Sequence, residues 1–206
     1  MATARRRFVI LHGWQNEHPE GHWERLLAEG LTERGHDVCY PQFSDPDHPV
    51  LETWLKEIEA SIEPDPGVEQ VVIAHSLACA AWIHLADRNC DRLPVDRLVF
   101  VAPPSPKMLS ETPELRGFQF PDGGHLVVPR TSIAPPRLVC SDNDPYCDPP
   151  ADFLYGDAFD VDAPPGCGHF DLDAQYGSWP SMLAWCEDPE TRITAREPDA
   201  AERAIA

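Results

Sequence analysis

The sequence predicts an α/β fold with a mostly parallel sheet of about six strands and helices on both of its faces. Two observations predict this class. Short apolar runs alternate along the chain with longer stretches of helical periodicity, and the runs are apolar on both faces, as strands covered on both sides must be. Such alternation leads to right-handed crossovers. The 206 residues are enough to bury the core of one domain.

The elements follow one another in a regular order. Strands are predicted at Phe8 to Leu11, Val38 to Tyr40, Val71 to Ala74, Leu98 to Ala102, Leu138 to Cys140 and Phe159 to Val161. Helices are predicted at Gly21 to Arg34, Val50 to Ile62, Leu77 to Asn89 and Ala151 to Asp157. In the second helix, Leu51, Trp54, Leu55 and Ile58 share one stripe, which gives it an apolar face for the sheet.

The segment Pro103 to Pro136 interrupts this alternation. The chain has 23 prolines, and the many in this segment exclude regular sheet or a long helix there. Long ordered loops are often lids over binding pockets, although a passive surface excursion is the alternative. We expect one domain over residues 8–186, a flexible N-terminal tail at 1–7 and a polar, acidic, loosely attached C-terminal tail at 187–206.

Charge and cysteine content limit the partners and the compartment. Sixteen basic against 35 acidic residues give a net charge of -19, which repels phosphate backbones and anionic lipid, so no nucleic acid or membrane partner is expected. Arg5 to Arg7 form a basic cluster, but the apolar run after it is too short for a signal peptide. Seven cysteines without paired CxxC spacing indicate reduced thiols and a cytoplasmic location.

One polar pair stands between a strand and a helix in VVIAHSLACAAW, residues 71–82. A strand that turns into a helix through one residue exposes a serine hydroxyl at the carboxyl edge of a parallel sheet, and the tight turn needs small residues two positions either side. Ala74 and Ala78 occupy those positions. Ser76 is therefore the candidate nucleophile, with a helix N-cap as the alternative role.

A serine needs a base to remove its proton and an acid to orient that base. In α/β-hydrolases the chain order is serine, acid, histidine. Asp142 and Asp144 follow a strand end, and His169 lies in the turn Gly166-Cys167-Gly168-His169 past the next strand. We expect His169 to be the base, with the choice of acid left open by this pattern.

The other histidines do not fit that order. His125 precedes the acids, and His75 sits in the turn where its side chain should point away from the serine. His18 and His22 are four residues apart, but the intervening Pro19 and Gly21 disfavour a helix, and without a helix the two side chains do not form a zinc pair. No metal site is expected.

A negatively charged intermediate also needs hydrogen-bond donors. The backbone N–H of Leu77 opens the helix after the serine, and helix N-termini favour negative charge. Gly13 ends the first strand and lets the backbone approach closely, which makes the N–H of Trp14 the second candidate.

Several of these segments together resemble a known family. They are Ile10 to Trp14, Pro41, Trp54, His75 to Leu77, Ser141 to Tyr146, Gly168 to Phe170 and Tyr176 to Pro180. They are similar to the small serine hydrolases of the α/β-hydrolase superfamily typified by retinoblastoma-binding protein nine and its bacterial relatives. The resemblance implies a compact α/β-hydrolase without a large cap domain, whose acid is Asp144, with Asp142 as the fallback. Its partner-binding segment is not matched here, so that partner role is not carried over to this chain.

The expected function is hydrolysis of an ester or related acyl substrate through Ser76, Asp144 and His169, without a cofactor. The partner is then a small-molecule acyl substrate, and an acyltransferase or thioesterase would share the same residues. The alternative is a binding or regulatory protein that kept the fold with weak chemistry. Candidates for an apolar acyl site beneath the proline-rich segment are Trp14, Leu109, Phe118 and Phe120, and packing in the core or in that segment is the alternative role for them.

Overall fold

The computed structural model describes residues 5–62, 66–89, 93 and 95–196. Its six strands are Arg6–Leu11 (β1), Asp37–Cys39 (β2), Glu69–His75 (β3), Arg97–Val101 (β4), Arg137–Val139 (β5) and Asp160–Asp162 (β6). The α-helices are Trp23–Glu33 (α1), Leu51–Ser61 (α2), Leu77–Asn89 (α3), Pro106–Glu111 (α4), Ala151–Tyr155 (α5) and Pro180–Glu187 (α6). Among the described residues, no helix is both long and apolar enough to cross a bilayer.

All strand pairs are parallel and their spatial order is β2-β1-β3-β4-β5-β6. The chain first winds to one side of β1 and then to the other, so β1 and β3 lie side by side at the point where the order reverses. Ligands bind at the carboxyl edge of such a sheet beside that reversal. The predicted parallel α/β class is confirmed, and each of the six predicted strands matches an observed one to within about two residues.

Successive residues of the central strands enter two separate cores. Val9, Leu11 and Val72 pack with α2 and α3 on one face of the sheet, whereas Phe8 and Ile10 pack with α1 and α6 on the other. This division follows from the two-residue alternation of side chains along a strand. Because both faces are covered, the central strands are apolar throughout, as the sequence indicated.

The proline-rich segment forms short helical turns. Pro106 opens α4, and the Ser105 side chain caps it by accepting a hydrogen bond from the N–H of Met108 at 3.2 Å. Two 3₁₀ turns follow at Pro113–Phe118 and Gly124–Arg130. The predicted absence of regular sheet and long helix is confirmed.

The C-terminal segment up to Arg196, the last residue that the structure describes, is packed against the domain, whereas the sequence analysis expected a loosely attached tail. Helix α6, which the sequence analysis missed, buries Met182, Trp185 and Cys186 against the sheet. Beyond it, Ile193 is buried, and Arg192 pairs with Asp162 (Nε to Oδ1, 2.6 Å) next to β6. At the other end of the chain, Arg6 and Arg7, which the sequence analysis placed in a flexible N-terminal tail, form the start of β1 and pair with its neighbouring strands. The remainder of the predicted tails, residues 1–4 and 197–206, lies outside the described residues.

Candidate active site

Ser76 is the single residue between β3 and α3, and its backbone has a φ of +53°. This left-handed conformation costs a residue with a side chain about 1 to 2 kcal/mol. Hydrogen bonds hold it on both sides: the N–H of Ser76 donates to the carbonyl of Val101 at 2.9 Å, and the N–H of Cys79 donates to the carbonyl of Ser76 at 3.0 Å. Ala74 and Ala78 are fully buried, which agrees with the small residues that the turn requires.

Gly13 lies against the serine from the end of the neighbouring strand. A Cβ atom at this position would stand 2.8 Å from the Cβ of Ser76 and 3.2 Å from its Oγ. No side chain fits such a gap unless the turn or the strand end moves. Glycine is therefore required here for close approach of two backbones, as the sequence analysis expected.

Replacing Gly13 by alanine is expected to lower the kcat/KM of ester hydrolysis by about 10²-fold, because the added methyl group must displace Ser76 by a fraction of an ångström or more. Gly117→Ala is the matched control, since a Cβ there meets no atom within 4 Å. Steady-state kinetics on a p-nitrophenyl ester compare the two variants. Equal activity in both would show that the contact with Ser76 is unimportant.

His169 reaches Ser76 from the loop after β6. Its Nε2 lies 2.8 Å from Ser76 Oγ, and its Nδ1 lies 2.9 Å from both carboxylate oxygens of Asp144. Both His169 and Asp144 are buried, and the ring of Tyr146 packs edge-on against His169 at 4.5 Å. A serine, an imidazole and a carboxylate are thus connected in series, an arrangement that can move a proton from the hydroxyl to the imidazole.

The turn after β5 also holds the loop that carries His169. Ser141 Oγ accepts the N–H of Cys167, Asp142 Oδ1 accepts that of Gly166, and Asn143 Oδ1 accepts that of Gly168, at distances of 2.7 to 2.8 Å. Asp142, the fallback acid of the sequence analysis, therefore supports the loop backbone. Asp144 is the acid that contacts the imidazole.

Trp14 and Leu77, whose N–H groups were predicted to be donors, both line the cavity that contains Ser76. Behind them, His12 is fully buried, with its Nδ1 2.8 Å from the carbonyl oxygen of Gly13 and its Nε2 accepting the N–H of Phe43 at 2.8 Å. The peptide between Gly13 and Trp14 contains both the Gly13 carbonyl and the Trp14 N–H, so the contact with His12 fixes the orientation of that N–H. Because C=O and N–H point in opposite directions across a trans peptide, that N–H faces away from His12.

The cavity beside Ser76 has a volume of about 260 Å³. Its wall includes the apolar side chains of Trp14, Met108, Leu115 and Leu172 and the polar side chains of Gln15, Asn16, Asp171 and Asp173. None of the described residues that line it is a lysine or an arginine. Met108 and Leu115 come from the proline-rich segment, whereas Leu109 and Phe118, expected as lining residues, are fully buried in the core.

A second group of titratable residues, which the sequence analysis missed, lies at the wall of the cavity: His22 and His75 line the cavity, and Glu24 is buried behind them. Glu24 has no exposed surface, and burial alone would raise its pKa, but the adjacent charge of His75 lowers it to about 2. His22, whose pKa is lowered by burial, completes the group. In the part of the chain that the structure describes, these three residues offer metal-ligand atoms within 4.8 Å of one another.

One signal in the sequence could have revealed this group. Glu24 falls on the same helical stripe as Leu27 and Leu31, so a carboxylate occupies a position on the buried face of α1. A charged residue at such a position needs a partner from another element. The partner, His75, is 51 positions away in the chain, and only the fold brings the two together.

Comparison with known proteins decides the family. A model of the family described as serine hydrolase matches residues 8–187. The chain belongs to this serine hydrolase family. The match covers most of the chain and confirms the resemblance stated above.

Solved structures share the fold of this serine hydrolase. The ydeN gene product from B. subtilis aligns with a TM-score of 0.69 and 20% identity, covering 88% of this chain and 96% of that one. A YdeN-like protein from Pectobacterium atrosepticum aligns with a TM-score of 0.65 and 18% identity over 89% and 90% of the two chains. A structure from work on the metagenome-derived lipolytic enzymes LipS and LipT aligns with a TM-score of 0.55 and 13% identity, covering 82% of this chain and 87% of that one. A comparison with curated proteins gives no match.

Proposed function

We propose that this serine hydrolase cleaves small carboxylic esters through an acyl-enzyme formed on Ser76. The observation that carries the proposal is the continuous connection from Ser76 Oγ through His169 to Asp144, at 2.8 and 2.9 Å. Membership of the family supports serine chemistry, and the lipolytic activity named for one structural neighbour is consistent with an ester substrate.

In the proposed reaction, His169 Nε2 takes the proton of Ser76 Oγ as that oxygen attacks the ester carbonyl. The negative charge on the carbonyl oxygen is stabilised by the backbone N–H groups of Leu77 and Trp14. His169 then gives its proton to the departing alcohol, leaving the acyl group on Ser76. Water attacks the acyl-enzyme with His169 again as base, and the acid product leaves.

Asp144 orients the imidazole in this scheme. It accepts the Nδ1 proton of His169, which leaves the Nε2 lone pair directed at the serine, and it stabilises the imidazolium that forms. Each step uses side chains, backbone N–H groups and water.

The cavity narrows the substrate class. A volume of about 260 Å³ lies below the range of about 300 to 1,000 Å³ typical of ligand pockets, which favours short acyl chains. Asp171 and Asp173 at its wall disfavour substrates that carry a carboxylate or phosphate. Neutral short-chain esters are therefore the proposed substrates.

Labelling with a fluorophosphonate probe tests the proposal. The probe is expected to attach to Ser76, which peptide mass spectrometry would locate, and a panel of p-nitrophenyl esters should give the highest kcat/KM for short acyl chains. A folded protein that neither reacts with the probe nor hydrolyses any ester of the panel would refute the proposal. That result would favour a binding protein with this fold.

A further inference from the structure

Glu24 carries a fully buried charge near the start of α1. Its Oε2 accepts hydrogen bonds from Asn16 Nδ2 and Tyr40 Oη, both at 2.8 Å, while its Oε1 lies 3.0 Å from His75 Nδ1. The Oε1 contact is poorly aligned for a hydrogen bond, so it acts through charge. A carboxylate removed from water in this way requires a nearby positive charge.

His75 supplies that charge because both of its ring nitrogens face acceptor atoms. Nδ1 faces the Glu24 carboxylate, and Nε2 lies 3.0 Å from the backbone carbonyl oxygen of His169. Neutral imidazole has one N–H donor, so one nitrogen would present a lone pair to an oxygen; imidazolium has two donors. Burial disfavours the charge, but Glu24 outweighs it and raises the pKa of His75.

The carbonyl that His75 binds belongs to the residue proposed as the general base. His169 is flanked by Gly168 and Phe170, whose φ angles are +57° and +53°, so this stretch has no regular backbone of its own to fix it. His75, in contrast, is the last residue of the central strand β3 and directly precedes Ser76. A single side chain therefore connects the strand that ends at the serine to the loop that carries the histidine.

We propose that the buried Glu24–His75 ion pair is a positioning element that holds His169 against Ser76 through the His169 carbonyl. The inference rests on the proposed function. Neither residue touches the reacting atoms in the proposed scheme, so both act through His169.

The surroundings determine how this element responds to pH. The titratable groups around His75 are His22 and Glu24 from α1, His12 from the end of β1, and His169 and Asp171 from the loop after β6. Burial lowers the pKa of His12 and of His22, which keeps both of them neutral. The net electrostatic effect on His75 therefore comes from the carboxylates of Glu24 and Asp171.

A raised pKa means that His75 stays charged below its folded pKa and loses a proton as the pH rises through it. The proton that remains is held at Nδ1 by Glu24, and Nε2 then presents a lone pair to the His169 carbonyl. The hydrogen bond from His75 Nε2 to the His169 carbonyl is thus present below the folded pKa of His75 and lost above it. The kcat of the wild type is expected to fall there by about 10²-fold, the effect of a small displacement of a catalytic group.

Glu24→Gln separates positioning from simple structural support. The amide oxygen can still accept from Asn16 and Tyr40, while its NH₂ donates to His75 Nδ1 and forces the neutral tautomer with a proton on Nε2. The His169 carbonyl then keeps its donor at every pH. Glu24→Gln should therefore retain its kcat on the alkaline side, whereas Tyr40→Phe, which removes one bond to the carboxylate and leaves the ion pair, should show the wild-type decline.

The experiment combines kcat–pH profiles, corrected for background hydrolysis, with ¹⁵N NMR of histidine-labelled protein. The His75 signals, assigned by their loss in His75→Gln, should report both nitrogens protonated at pH 7 in the wild type and one in Glu24→Gln. A neutral His75 in the wild type would overturn the inference, and so would an identical alkaline decline in Glu24→Gln.

The two proposals fail in different ways. Turnover that survives in Ser76→Ala would remove the proposed function and the positioning role with it. A neutral His75 in an enzyme that depends on Ser76 would remove the positioning role alone.

Discussion

Replacing Ser76 by alanine is expected to lower kcat for a p-nitrophenyl ester by about 10⁵-fold or more, as loss of a nucleophile does in other serine hydrolases. The variant lacks the Oγ that lies 2.8 Å from His169 Nε2, so no acyl-enzyme can form. The fold should persist, because the backbone hydrogen bonds of residue 76 to Val101 and Cys79 do not involve the side chain. Steady-state kinetics and probe labelling measure the loss.

Ser178→Ala provides the matched control, since Ser178 is exposed and outside the cavity. It should keep full activity and full labelling. Circular dichroism of both variants establishes that they are folded. Activity in Ser76→Ala above about 1% of the wild type would exclude Ser76 as the nucleophile, given the size of the loss expected for that role.

Replacing Asp144 by asparagine is expected to lower kcat by about 10⁴-fold, the size of effect known for the orienting acid of a serine triad. An asparagine NH₂ in place of a carboxylate oxygen donates to His169 Nδ1 and forces the proton onto Nε2. That tautomer points an N–H at Ser76 Oγ and cannot accept its proton. The substrate-binding cavity is unchanged, so KM should move little.

Asp142→Asn is the control that resolves the choice between the two acids. Asp142 accepts the N–H of Gly166 at 2.7 Å and does not contact the imidazole. An asparagine oxygen can still accept that bond, so the loss in kcat should stay within about tenfold, the scale of a small change in positioning. A larger loss in Asp142→Asn than in Asp144→Asn would reverse the assignment.

Features that depend on neighbouring residues were predictable from the sequence. The strand-to-helix turn at Ser76 was visible because the apolar run before it, the single polar residue and the helix-forming run after it lie within about a dozen positions. Gly13 was expected to allow close approach, and the structure places it against Ser76. Likewise, Asp144 and His169 follow consecutive strands, and parallel strands bring their carboxyl ends to one edge.

Features that depend on distant residues were missed or misplaced. Leu109 and Phe118 have the character of pocket residues, yet the turns of the proline-rich segment direct them into the core and bring Met108 and Leu115 to the cavity. Ile193 lies in a polar stretch of sequence, yet it packs into the core, and its N–H donates to Asp162 Oδ2 at the end of β6 at 3.0 Å. Neither the choice of side chains that reach the cavity nor the burial of Ile193 can be predicted from the residues next to them in the sequence.

The sequence by itself determined the parallel α/β fold, because the periodicity of a strand or a helix is a local property. Its short motifs, taken in chain order, carried the resemblance to the serine hydrolase family and indicated the three candidate catalytic residues. The tertiary structure alone decided which side chains line the cavity and that the buried Glu24 is paired with His75. These depend on distances between side chains from different elements. A buried charge is tolerated only where another element supplies its partner, and that pairing exists only in the folded chain.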